Sequence, residues 1–146
     1  AIAGAYEGLI DAITNLEMKG NKAALKSMLE KAAAILADTD AYVASTIDGL
    51  ATVKADAQNV YDNADAVQSE INAAVKSLTL KIAAARLLGD VNGDGAVTTS
   101  DSVSVLAASA ELTSLDADAT ASADVNGDGV ADTLDAALIL QTAAEK

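Results

Sequence analysis

The sequence predicts an all-α fold, and three observations carry that prediction. No proline interrupts any of its 146 residues, and alanine, the strongest helix former, recurs along its whole length. Apolar residues fall at three- and four-residue steps over several successive stretches, the period of one helix face. Six residues, Asp90-Val91-Asn92-Gly93-Asp94-Gly95, return letter for letter as Asp124 to Gly129, each time ahead of a further apolar stretch. Together these place an antiparallel three-helix bundle ahead of two loop–helix units. The boundaries read as a leading helix within 1–21, the bundle over 22–88 and the repeat module over 89–146.

In chain order, Ile2, Tyr6, Leu9, Ile13 and Leu16 share one face of a helix over 2–16, which Gly20 stops. Asn21 caps the next helix, about 22–37, striped by Leu25, Met28, Leu29, Ala32, Ile35 and Leu36. Asp38-Thr39-Asp40 links it to a third. There Ser45-Thr46-Ile47-Asp48 has the spacing of a capping box, and Ile47, Leu50, Ala57, Val60 and Tyr61 carry the face to about 61. A turn at Asp62-Asn63 leads to Asp65, which caps a long helix over about 65–88. Ile2, Leu9, Ile13 and Gly20 align with Ile71, Leu78, Ile82 and Gly89 at one offset. The leading helix is therefore either the end of a preceding copy of the bundle or a chance match of apolar faces. On the first reading the chain is a piece of a longer protein. The first residues lack the basic stretch and apolar run of a signal peptide, so a targeting signal would lie upstream.

The stretch over 22–86 resembles the FIVAR module, a three-helix unit of secreted bacterial glycosidases and adhesins. The matching parts are Leu25 to Leu36, Tyr42-Val43-Ala44-Ser45, Asn63-Ala64-Asp65-Ala66-Val67-Gln68 with Ile71, and the closing Leu78 and Ile82. Nothing in the bundle has a catalytic pattern. Tyr6, Tyr42 and Tyr61 read as packing residues, since a carbohydrate platform needs flat aromatic surface and the chain has no Trp or Phe.

The repeated stretch has the spacing of a twelve-residue calcium loop: oxygen donors at positions 1, 3, 5, 7, 9 and 12, and glycine at position 6. In the first loop these are the side chains of Asp90, Asn92 and Asp94, the Ala96 carbonyl, Thr98, and Asp101 from the first turn of the following helix. In the second they are Asp124, Asn126, Asp128, the Val130 carbonyl, Asp132 and Asp135. Calcium is a hard cation that takes six to eight oxygens, and the glycines supply the positive φ that folds the chain over it. The alternative, a pair of metal-free Asx/Gly turns, does not account for two copies in one register, each with a carboxylate at position 12. Two Ca2+ are expected.

Charge agrees by a separate route. The net charge is −13, and beyond Arg86 there are eleven acids and only Lys146 to balance them. Such a module repels itself unless cations neutralise it, and it is a poor partner for nucleic acid or an anionic membrane. No apolar run reaches the roughly 18 residues of a membrane span. The missing cysteine is compatible with secretion and does not require it.

Helical stripes follow both loops: Val103, Leu106, Ala107 and Ala110 over about 101–111, and Leu138, Ile139 and Thr142 over about 135–144. The linker over 115–121 has little helical stripe, so the second loop reads as lacking an entering helix. Position 12 is Asp where an EF-hand usually has a bidentate Glu. From Gly89 to Ala143 the pattern GDVNGDG…D and ADVNGDG…D, each followed by an apolar helix, resembles a dockerin, the calcium-dependent module that docks into a cohesin. The resemblance implies cohesin contacts at Thr99, Ser100, Leu106, Ala107 and Glu111 in the first repeat. In the second it implies Thr133, Leu134, Leu140, Gln141 and Glu145. Clostridial cellulosome dockerins of the best-known type often carry Lys-Arg where this chain has Leu106-Ala107 and Leu140-Gln141, so a more apolar contact is implied. The other reading of Leu106 and Leu140 is core packing. Ser100 against Leu134 favours the second repeat as the larger apolar contact.

The resemblance implies a non-catalytic docking fragment that anchors a secreted carbohydrate-active enzyme or scaffold subunit, with the bundle as spacer. A freestanding calcium sensor or buffer is the rival. An enzyme using the acids as paired carboxylates is a weaker one, because the acids are already accounted for as ligands and His and Cys are absent.

Overall fold

The computed structural model describes residues 20–145. The helix expected over 2–16, with Tyr6, lies outside them. Regular structure among the described residues is mostly helical, and Tyr42 and Leu87 form an isolated antiparallel bridge. The helices are α1 (Ala23–Ala37), a 3-10 turn (Thr39–Ala41), α2 (Ala44–Ile47), α3 (Leu50–Asp62), α4 (Gln68–Ala84), α5 (Thr99–Ser109), α6 (Ala117–Ala123) and α7 (Thr133–Ala144).

Two compact units emerge, one from 20–34 and 49–81, the other from 35–48 and 82–145. In the first, Leu25, Leu29 and Ala32 on α1, Leu50 and Ala57 on α3, and Ile71 and Leu78 on α4 are buried. Their three-, four- and seven-residue spacings put each set on one helix face. Polar contacts fix the order. Asn21 Oδ1 accepts the Ala23 N–H at 2.9 Å and so caps α1. Lys22 Nζ donates to the Tyr61 carbonyl at 2.7 Å and to that of Asn63. Gln68 Oε1 accepts from Asn21 N at 2.8 Å. The start of α1 therefore lies at the end of α3 and the start of α4. Thus α1 and α4 run one way and α3 the other.

The second unit has its own core: Val91, Val97, Val105, Ala119, Ala123, Ala136 and Ile139, with Leu87, Leu115, Val125 and Ala131 packed on it. Helices α5 and α7 lie against each other. The Ser102 hydroxyl on α5 donates to the Ala136 carbonyl on α7 at 2.7 Å. Val105 and Ile139, equivalent residues of the two repeats, are both buried.

Several sequence expectations change. The helix placed over 45–61 is two helices, because Gly49 adopts φ 73° and begins α3 as its left-handed cap; α2 has Val43 as its N-cap, without a side-chain cap bond. Asp65 does not cap α4, which starts at Gln68; there Glu70 Oε2 accepts from Val67 N at 3.1 Å instead. The same helix ends at Ala84 rather than near 88. Beyond it, the Arg86 carbonyl accepts from Val43 N and the Leu88 N–H donates to Ala41 O, both at 2.9 Å. The linker over 115–121 contains α6, capped by Asp116 Oδ1 accepting from Ala119 N at 2.8 Å. Its buried residues are Ala119, Ser122 and Ala123, too small to register as an apolar stripe. On α5 the buried apolar residue is Val105, whereas Val103 faces solvent.

Gly49 tests the break. A non-glycine residue in the left-handed region costs roughly 1–2 kcal/mol, and a Cβ there would lie 3.4 Å from Lys81 Nζ. Gly49→Ala is expected to lower stability by about that amount in urea unfolding, whereas Ala51→Gly on the exposed face of α3 costs less, about 1 kcal/mol at most.

Candidate metal and docking site

Each loop is built around two carboxylates. In the first, Asp90 Oδ1 accepts from Gly93 N at 2.8 Å and Asp94 N at 3.1 Å, and Oδ2 accepts from Gly95 N at 3.0 Å. Asn92 Oδ1 accepts from Asp94 N, and Asp94 Oδ1 from Ala96 N, both at 2.9 Å. Position 12 closes the loop. Asp101 Oδ1 accepts from Val91 N at 2.9 Å and Asn92 N at 3.0 Å, while Oδ2 accepts from Thr98 N at 2.8 Å and Thr98 Oγ1 at 3.0 Å. Asp101 is fully buried and is also the third residue of α5, so it ties the start of the loop to the start of the helix.

The second loop repeats the backbone-to-carboxylate network, without the position-9 hydroxyl bond that Thr98 makes in the first. Asp124 Oδ1 accepts from Gly127 N at 2.8 Å and Asp128 N at 3.1 Å, and Oδ2 from Gly129 N at 2.9 Å. Asn126 Oδ1 accepts from Asp128 N at 2.8 Å, and Asp128 Oδ1 from Val130 N at 2.9 Å. Asp135, also fully buried, accepts from Val125 N at 3.0 Å, Asn126 N at 3.1 Å and Asp132 N at 3.0 Å. Thr98 and Asp132, at position 9, are the N-caps of α5 and α7. The glycines at position 6, Gly95 and Gly129, have φ 90° and 89°, as the tight turn requires.

The side-chain donors of both loops are all oxygens, which suits a hard cation and not a thiolate-seeking metal. Among the described residues no group of three or more Asp, Glu, His or Cys side chains is drawn together as a ready-made metal cluster. The carboxylates are instead turned towards backbone N–H groups. Asp101 accepts four hydrogen bonds, so ligation would require it to exchange at least one of them.

The residues expected to meet a partner are on the surface. Thr99, Ser100, Glu111, Thr133, Gln141 and Glu145 are exposed, and Ala107 is half-buried. Leu106, Leu134 and Leu140 are 45%, 57% and 48% exposed, so core packing does not hold Leu106 or Leu140. Val103 adds an exposed apolar side chain to the first repeat, where the second has Ala137. This offsets part of the asymmetry drawn from Ser100 and Leu134. Glu111 and Glu145, equivalent in sequence, differ in backbone: Glu111 has φ 59°, whereas Glu145 is right-handed at φ −86°. Glu111 follows α5, and Leu112 N behind it donates back to Ala107 O at 2.9 Å. This is the left-handed helix stop usually made by glycine.

Two residues outside the repeat pattern also hold the first loop. Ser122 Oγ donates to the Asp90 carbonyl at 2.9 Å. Arg86 Nε donates to the same carbonyl at 2.9 Å, and its Nη2 donates to the Val91 carbonyl. The sequence signal for Arg86 was its place as the last basic residue before the acidic module.

Residues 88–142 match the family model described as dockerin type I domain. The match spans both loops and helices α5 to α7 up to Thr142, and supports a dockerin module there. Dockerin domains are non-catalytic docking domains that bind calcium and take a cohesin as partner. Neither the curated proteins nor the solved structures contain a match to the chain.

The position-12 carboxylate has a role that can be measured without metal. Asp101→Ala leaves the buried Val91 N–H and its neighbours without their acceptor, and each unsatisfied buried donor costs roughly 1–3 kcal/mol. In chelator, Asp101→Ala is expected to lower the melting temperature of the second unit far more than Asp94→Ala, whose side chain is exposed. Equal effects of the two would contradict the geometry.

Proposed function

We propose that the module over 89–145 is a calcium-loaded dockerin that takes two Ca2+ and docks noncovalently onto a cohesin. The six oxygen donors named for each loop would hold the ions. Calcium would fix the loops, the loops would fix α5 and α7, and those helices would present Leu106, Leu134 and Leu140 with the flanking polar residues. The observation that carries this reading is the repetition of the backbone-to-carboxylate network in both loops, each copy closed by a buried aspartate in the first turn of its helix. The module over 22–88 is a FIVAR-like spacer in this proposal. The whole is a secreted bacterial fragment of a carbohydrate-active or scaffold protein. The domain boundaries at 22 and 89 belong to the same proposal.

Isothermal titration is expected to count two ions per chain, and one in each of Asp90→Ala and Asp124→Ala, because each removes a carboxylate from one loop. Two ions in both variants would show that these residues are not ligands.

Binding to a panel of cohesins, with calcium and with chelator, tests the docking. Burying a leucine contributes about 1.5–3 kcal/mol. Leu134→Ser with Leu140→Ala is therefore expected to weaken a calcium-dependent cohesin complex at least tenfold, with calcium stoichiometry and helicity unchanged. Undiminished binding would place the contact elsewhere or on the first repeat alone.

A further inference from the structure

The two loops are identical over six residues, yet they are not equally supported. Asp90 and Val91 are buried, while their counterparts Asp124 and Val125 are only half-buried. Like Ser122, Arg86 contacts the first loop at this point. Its guanidinium reaches the carbonyls of Asp90 and Val91 at once, using the fork that only arginine offers. It also covers Gly93: a Cβ added there would lie 3.3 Å from Nη2, whereas one added at Gly127 would meet nothing within 4 Å. At the corresponding place before the second loop stands Thr120, whose hydroxyl is turned into α6, donating to the Asp116 carbonyl at 2.7 Å.

Arg86 is itself held at both ends of its peptide unit. Its N–H donates to Thr46 Oγ1 at 3.0 Å, and its carbonyl accepts from Val43 N at 2.9 Å. The Thr46 hydroxyl donates in turn to the Val43 carbonyl at 2.6 Å. Beside it lies the antiparallel bridge between Tyr42 and Leu87. Residues 41–46, remote in sequence from either repeat, thus fix the backbone from which the guanidinium reaches the first loop.

We infer that Arg86 is a positioning residue that makes the first loop the tighter of two calcium sites. The inference rests on both loops being calcium sites. A cation beside a calcium loop repels the ion, which opposes tight binding. The ordering effect outweighs this. Two carbonyls of consecutive loop residues are already fixed, so less backbone freedom is lost when the ion binds. The second loop has Thr120 where the first has Arg86, so its first two carbonyls lack that brace and more backbone freedom is lost there when an ion binds.

The amide signals of Gly95 and Gly129 report the two loops separately, since each N–H donates to the position-1 carboxylate of its own loop, at 3.0 Å and 2.9 Å. Calcium is added stepwise to the chelator-stripped chain while both signals are followed by NMR. Gly95 is expected to respond over the first equivalent and Gly129 over the second. Loss of an outer-shell partner typically weakens a metal site about 10–100-fold, so in Arg86→Met the first loop is expected to weaken about tenfold and lose its priority. Arg86→Lys keeps the charge but not the fork, and is expected to behave like Arg86→Met. Thr46→Val, which removes the acceptor of the Arg86 N–H and the hydroxyl donor to the Val43 carbonyl but leaves the guanidinium in place, is expected to shift the order less. The second loop's constant should not move in any of them. Simultaneous response of both glycines in the unmodified chain would overturn the brace and leave the calcium reading intact, as would tighter binding at the first loop in Arg86→Met. No response at either glycine would defeat the calcium reading itself. The order of filling in the unmodified chain decides the matter even where a variant fails to fold.

Discussion

In each repeat one buried carboxylate joins the beginning of a twelve-residue loop to the beginning of a helix. Asp101 accepts from Val91 and Asn92 at one oxygen and from Thr98 at the other, and Asp135 does the same for Val125, Asn126 and Asp132. The side chain that would complete an ion's oxygen shell is therefore also part of the helix's N-terminal cap. A charge buried this deeply is tolerated only because donors surround it. Loop closure, helix start and the packing of Val105 against the second-unit core all depend on that side chain staying in place. The acidity of the module follows from the same design, for the loops concentrate carboxylates where backbone donors alone neutralise them poorly. Calcium is the natural complement to that arrangement.

Leucines that a self-contained helical pair would bury are left in water on α5 and α7. Leu106 and Leu140 occupy equivalent places, and Leu134 and Val103 extend the two faces differently. Exposed leucines on these helices suit association, in keeping with the match to a docking domain over 88–142. Glu111 sets the two repeats apart: its left-handed backbone ends α5 in a stop that Glu145, right-handed after α7, does not make.

The sequence was legible where chemistry demanded particular residues at fixed spacing. Asp90 to Gly95 and its copy named both loops, the two position-12 aspartates and the helices behind them. It was less legible where small residues did the work. Ala119, Ser122 and Ala123 form the buried face of α6, but alanine and serine leave no apolar stripe, so the Asp116 cap was the only local sign. Ser45-Thr46-Ile47-Asp48 imitates a capping box in letters. The chain there is governed instead by Gly49 and by the pairing of residues 41–43 with 86–88, contacts that lie some forty residues apart and leave no local trace. Val103 and Val105 show the limit of periodicity on a short helix, where a shift of two positions exchanges the wet and the buried face. Arg86 was visible only as a charge at a boundary.

Amide hydrogen exchange along the chain, with calcium and after chelation, reads whether the ion orders the loops and the helices they begin. Calcium is predicted to raise protection in α5, α7 and the glycine amides of both loops together, and to leave α1, α3 and the first half of α4 unchanged. Protection of α5 and α7 that is already complete in chelator, or that is unaffected by calcium, would contradict the account.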